Sequence, residues 1–118
     1  MSKFLTLSVE SLQDPTTEID DGNGEEIRSS ETATSLEMWA NLTAVSGGGD
    51  TIEFILEASL DGVIFTEIAR TAAITAISQV VLAVSRVDDA LGRFVRARWE
   101  VSGAPVSFDF DIKLGRRE

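Results

Sequence analysis

A chain of 118 residues with a net charge of −10 and neither cysteine, histidine nor tyrosine excludes several functions before any pattern is read. It has the length of one domain with a two-layer core. It lacks the basic surface that phosphate contacts need, so nucleic acid is not an expected partner, and Ser-His, Cys-His and zinc chemistries have no residues to be built from.

In chain order, Lys3 to Val9 alternates with Leu5, Leu7 and Val9 in phase and reads as a short strand rather than a signal peptide. Periodicity then fails from Glu10 to Ala33. Gln13-Asp14-Pro15 and Asp20-Asp21-Gly22-Asn23-Gly24 are turn chemistry, with only Leu12, Ile19 and Ile27 as apolar anchors. Residues 10–33 are therefore expected to form a long acidic loop, of the kind that is often functional or bound to a partner. Nine acidic residues stand against the single Arg28 between Glu10 and Glu37, whereas the chain from Arg86 onward is rich in arginine. Such asymmetry can orient copies of a subunit against each other or a partner, or be a solvated face. Asp20 to Glu26 is oxygen-rich, but counted from Asp21 the sixth position is Glu26, where an EF-hand needs glycine. A plain acidic turn is the preferred reading over a non-EF calcium site, and no metal or cofactor is expected.

Alternation returns at Ser35. Leu36, Met38, Ala40, Leu42 and Ala44 face one way, and Glu37, Trp39, Asn41, Thr43 and Val45 the other. A glycine-rich turn at 46–50 leads to Ile52, Phe54, Leu56 and Ala58. A hairpin across it would set Leu42 against Phe54 and Ala40 against Leu56, and would place Ile55 diagonally across from Trp39 on the outer face. Trp39, Ile55 and Val45 then make an outward patch, read as a subunit contact, as a surface covered by Ile19 or Ile27, or as a sugar-stacking platform. Gly47-Gly48-Gly49 lacks the Lys-Ser/Thr of a phosphate loop. Asn41-Leu42-Thr43 matches a glycosylation sequon but falls on a predicted strand. Asp61-Gly62 is the strongest short hairpin signal and should return the chain through Val63–Arg70. Thr71–Ser78 reads as a link or short strand, Gln79–Ser85 as a strand, and 87–92 as one helical turn.

The C-terminal run has the clearest alternation. Val95, Ala97, Trp99 and Val101 share one face, as do Val106, Phe108, Phe110, Ile112 and Leu114. Folding at Ser102-Gly103-Ala104-Pro105 gives a predicted hairpin with Trp99 opposite Phe108 inside, and Arg98 and Arg96 opposite Asp109 and Asp111 outside. Six to eight strands with turns at this spacing make an all-β antiparallel sandwich, jelly-roll-like, in a single domain spanning 1–118. The remaining route to catalysis is a carboxylate pair, and the acidic residues lie in the loop or opposite arginines. Neither setting raises a carboxyl pKa as a general acid requires, so the chain is not expected to be an enzyme.

Ser59-Leu60-Asp61-Gly62-Val63-Ile64-Phe65-Thr66 resembles the S-x-D-G-x-x-(F/W)-T hairpin of small jelly-roll and discoidin-like sandwiches, and Arg93-Phe94-Val95-Arg96 resembles the R-(Y/F)-V-R strand that follows it. The closing Val101–Phe108 stretch is similar to small virion proteins of tailed bacteriophages. The resemblance spans residues 51–114. It implies a structural protein of a phage particle, such as a capsid decoration protein, made in the host cytoplasm and located in the virion. Its partners would be capsid subunits or copies of itself in a symmetric assembly, without membrane or nucleic acid. The alternatives are a carbohydrate-binding module, or a head-tail connector or tail component. Candidate interface residues are Trp39 and Ile55, the acidic Asp20, Asp21, Glu25 and Glu26, and the basic Arg116 and Arg117.

Overall fold

Among the described residues the chain forms nine antiparallel strands: β1 (Leu7–Glu18), β2 (Gly22–Asn23), β3 (Ile27–Arg28), β4 (Ser35–Ser46), β5 (Thr51–Ser59), β6 (Thr66–Arg70), β7 (Ser78–Ser85), β8 (Phe94–Ser102) and β9 (Ser107–Arg117). The computed structural model describes residues 7–18, 22–24, 27–28, 35–46, 51–85, 93–102 and 107–117. One sheet runs β1-β9-β4-β7. The other runs β2-β8-β5-β6, with β3 also on β8, so the two-residue β2 and β3 share one edge position. The result is a sandwich of two four-position antiparallel sheets with jelly-roll topology. Apart from β2–β3 and β5–β6, each successive strand crosses to the other sheet.

The predicted inward faces are the observed ones along β5, β8 and β9, and in β4 as far as Leu42. Leu36, Met38, Ala40 and Leu42 of β4, Ile52, Phe54, Leu56 and Ala58 of β5, Val95, Ala97 and Trp99 of β8, and Phe108, Phe110, Ile112 and Leu114 of β9 form one buried cluster. Phe110 sits at its centre. Its ring meets Phe54 edge-on at 5.0 Å and Trp99 at 4.9 Å, a geometry that adds about 0.5–1.5 kcal/mol per pair beyond area burial.

The strand partners differ from expectation. β8 and β9 do not form a hairpin: β8 hydrogen-bonds β5 and β9 hydrogen-bonds β4 and β1. The apolar pairing across Ser102–Pro105 is instead a contact across the sandwich. Arg96 and Arg98 face Glu57 of β5 rather than Asp111 and Asp109. The β4–β5 hairpin fails for the same reason, because β4 and β5 lie in opposite sheets. Apolar residues oppose each other equally well along a ladder and across two packed faces, so alternation alone does not choose between them.

The 10–33 segment is strand rather than loop through Glu18, where β1 pairs with β9 with irregularities between Ser11 and Gln13 and between Gln13 and Thr16. Leu12 is buried in the core, as an anchor should be. Gly22 and Gly24 are packing glycines. A Cβ on Gly22 would lie 2.8 Å from the Trp99 indole, and one on Gly24 would lie 2.3 Å from the Leu12 carbonyl oxygen. A further irregularity between Leu42 and Ala44 shifts the phase of β4, so Val45 packs on the core instead of joining Trp39 outside. Asp61-Gly62 does turn the chain from β5 to β6, with Gly62 at φ 78°. The helical turn expected at 87–92 lies outside the described residues.

Candidate contact surfaces

Each outer face of the sandwich has its own chemistry. On the β8–β5–β6 face, Glu57 is almost buried and takes Arg96 Nε at 2.8 Å on one oxygen and Arg98 Nε at 3.0 Å on the other. Arg70 reaches Glu67 at 2.8 Å and Glu53 and Glu100 at 3.1 Å each, and Glu100 also holds Arg98. The Arg70 hydrogen bond is the main cause that keeps the carboxyls of Glu67 and Glu100 below their ordinary range, and the same contacts raise the Arg70 guanidinium. Arg96 also stacks 4.0 Å above the Phe65 ring. In register between Arg98 and Arg70 lies Ile55, fully buried, as expected where long arginine stems cover an apolar neighbour. Ile55 is therefore not part of a patch with Trp39: the two sit on opposite sheets.

On the β1–β9–β4–β7 face, Trp39 is 38% exposed, beside Lys113 of β9 and Val81 of β7 in register. Val81 and Val9 are also exposed there. β3, the strand that carries Ile27, belongs to the other sheet, and Ile19 lies outside the described residues. Asn41 of the sequon accepts a hydrogen bond from Gln79 Nε2 at 2.5 Å. Toward the β1 side, Thr17 donates to Asp109 at 2.6 Å and Thr43 to the Asp109 carbonyl at 3.1 Å.

A third surface is the β5–β6 tip. Leu60, Val63 and Ile64 are 76%, 79% and 73% exposed. They are held on a tightly bonded loop. Asp61 Oδ1 accepts from Val63 N at 2.8 Å, Ile64 N at 3.0 Å and Ser59 Oγ at 2.9 Å, while Ser59 Oγ accepts from Gly62 N at 2.9 Å. The Ile64 and Val63 amides lead the causes that hold the Asp61 carboxyl below its ordinary range. Beside the tip is a mostly apolar cavity of about 430 Å3 bounded by Ala58, Leu60, Ile64 and Ile68. Asp61-Gly62 makes this segment legible in the sequence as a turn, but not as a set of exposed side chains. The consecutive Val63-Ile64, out of phase with the strands on either side, was the available sign.

Asp20, Asp21, Glu25 and Glu26 lie outside the described residues. Arg116 is mostly covered and is paired with Glu10 of β1 within the same chain, so here the acidic N-terminal segment meets the basic C-terminal one inside the molecule. Arg117 closes β9 opposite Leu7 and Ser35. Among the described residues no cluster of acidic side chains is arranged to hold a metal ion.

No protein-family model matches the chain, and no curated protein does. Solved structures do. The SPBc2 prophage-derived protein YomS is similar over 100% of this chain and 98% of its own, with a TM-score of 0.58 and 11% identity. The VP2 subviral particle of infectious bursal disease virus gives a TM-score of 0.61 at 13% identity over 96% of this chain and 32% of that one, so the chain spans about a third of VP2. A subunit of the Bacillus endospore appendages, disulfide-linked pili, gives 0.51 at 13% identity, covering 98% and 91%. At these identities the likeness is one of fold: a jelly-roll sandwich shared with prophage-derived, viral capsid and pilus proteins.

Proposed function

We propose that this chain is a non-enzymatic structural protein of a bacteriophage particle, attached to capsid subunits as a decoration or stabilising protein. The observation that carries the reading is the β5–β6 tip. Exposing three large aliphatic side chains to water is unfavourable unless they are used, and contiguous apolar patches on soluble proteins mark contact sites. The Asp61 and Ser59 hydrogen bonds fix the loop beforehand, so docking loses little conformational entropy. The like fold of a prophage-derived protein and of a viral capsid protein supports the same reading. The outer face at Trp39 is a second place for a neighbour to sit.

The test is rebinding of the purified chain to particles stripped of it. Replacing Leu60, Val63 and Ile64 together by Ser leaves the core untouched and should weaken rebinding by at least about a hundredfold, since apolar anchors at a docking centre contribute about 1–2 kcal/mol each. Undiminished rebinding would remove the tip from the interface, and absence of the chain from purified particles would overturn the virion reading. Binding to a glycan that Trp39→Ala abolishes would favour a carbohydrate-binding module instead.

A further inference from the structure

Four strand positions form the edges of the two sheets, and three of them are blocked against further pairing. β1 carries Pro15, Glu10, Asp14 and Glu18 and has two irregularities in its register. β6 is five residues long and holds Glu67 and Arg70. β2 and β3 are two residues each. Charge, proline, bulges and short length are the usual devices that stop an edge from recruiting another strand. β7 has none of them. It is eight residues, Ser-Gln-Val-Val-Leu-Ala-Val-Ser, without charge, proline or glycine. It pairs with β4 in unbroken register from Ser78 to Ser85, and among the described residues no strand pairs with its other side.

We infer that the open edge of β7 is a self-pairing site, where the β7 of a second copy adds antiparallel across a two-fold axis and joins the two four-stranded sheets into one of eight. A second copy fits for three reasons. Residues 71–85 contain no charged side chain in a chain of net charge −10, so this is a stretch along which two copies can approach without setting like charges against each other. The strand is uncharged along its whole length, with an apolar centre at Val80–Val84 and polar ends at Ser78, Gln79 and Ser85, so an antiparallel two-fold pairing sets no charge opposite another, and an isologous contact needs that self-complementarity. Finally, both faces of the sheet run out to this edge unfinished. Val80 and Leu82 pack on the core but are only partly buried, and Val81 is 43% exposed beside Trp39. A paired β7 would extend the inner row with a second Val80 and Leu82, and would turn the outer Trp39–Val81 row into a continuous stripe through both copies. This self-contact goes beyond particle attachment and is measured on the isolated protein, so it stands or falls separately from the virion reading.

Sedimentation of the purified chain from about 5 to 500 µM should show a reversible monomer–dimer equilibrium, weak because one strand pair buries less than a standard interface. Over the same range, amide exchange should become slower at alternate residues of β7 as concentration rises, because an antiparallel ladder takes up every second amide of the added edge. Val81→Lys should weaken association at least tenfold, whereas Val81→Thr, neutral and still β-branched, should retain it; unchanged circular dichroism of both variants excludes unfolding as the cause. A chain that is monomeric at every concentration, or a dimer whose β7 amides exchange independently of concentration, would overturn the inference.

Discussion

The outside of the β8–β5–β6 sheet and the outside of the β1–β9–β4–β7 sheet invite direct comparison. On the first, Arg70, Arg96 and Arg98 are each held by glutamates from neighbouring strands, and Ile55 is closed beneath them. On the second, Trp39, Val81 and Val9 face outward. The first face satisfies its own chemistry and contributes to stability. The second has apolar area left over, and with the β5–β6 tip and the β7 edge it is where a neighbour would gain by binding. Net charge would not show this division, because it lies in which charges find partners within one sheet.

Single substitutions on the two faces should therefore act on different quantities. Glu57→Ala removes the carboxylate shared by two guanidiniums. It should cost about 2 kcal/mol, less than a fully buried pair because both arginines are partly exposed, with no effect on self-association. Trp39→Ser should cost about 1 kcal/mol or less, as for an outward sheet position, while weakening contacts made by that face. Chemical denaturation of both variants checks the order; a larger loss from Trp39→Ser would contradict the division.

Acid sharpens the same contrast with a smaller effect. Glu67 and Glu100 have folded-state pKa values below those of the unfolded chain. Their stabilisation is thus fully present above the unfolded glutamate pKa of about 4.3, and is lost as pH falls through the lower folded values. Thermal stability should decline below about pH 4.5, and the decline should be shallower in Arg70→Gln, which removes the main cause of both shifts. An identical acid profile in that variant would show that the arginine does not hold these carboxyls down.

How much of this was legible beforehand follows from what a period of two encodes. It reports the face of a residue, and so Trp99, Phe110, Leu42 and Phe54 were placed in the core from their spacing. It does not report the partner strand. In a jelly roll the chain crosses between sheets at almost every connection, so the apolar match between β8 and β9 was a contact across the core. The charges held the missing information: Glu57 on the outer phase of β5 complements both Arg96 and Arg98, but this appears only when non-adjacent strands are compared. Gly22 was equally opaque, because its reason for being small is an indole 77 positions away. The Trp39 patch was half legible: the exposed indole was found, its supposed neighbour Ile55 was on the other sheet, and its real neighbour Val81 came from a strand whose pairing the sequence left open.

Footprinting of surface side chains by hydroxyl radicals, on the free chain and on the chain bound to particles, tests the division of the surface most directly. Leu60, Val63 and Ile64 at the tip should become protected on binding, together with Trp39 and Val81 where copies or subunits meet that face, while Phe65, stacked under Arg96 on the charged sheet, keeps its free reactivity. Protection concentrated on the arginine–glutamate face, with the tip as reactive as in the free chain, would contradict it.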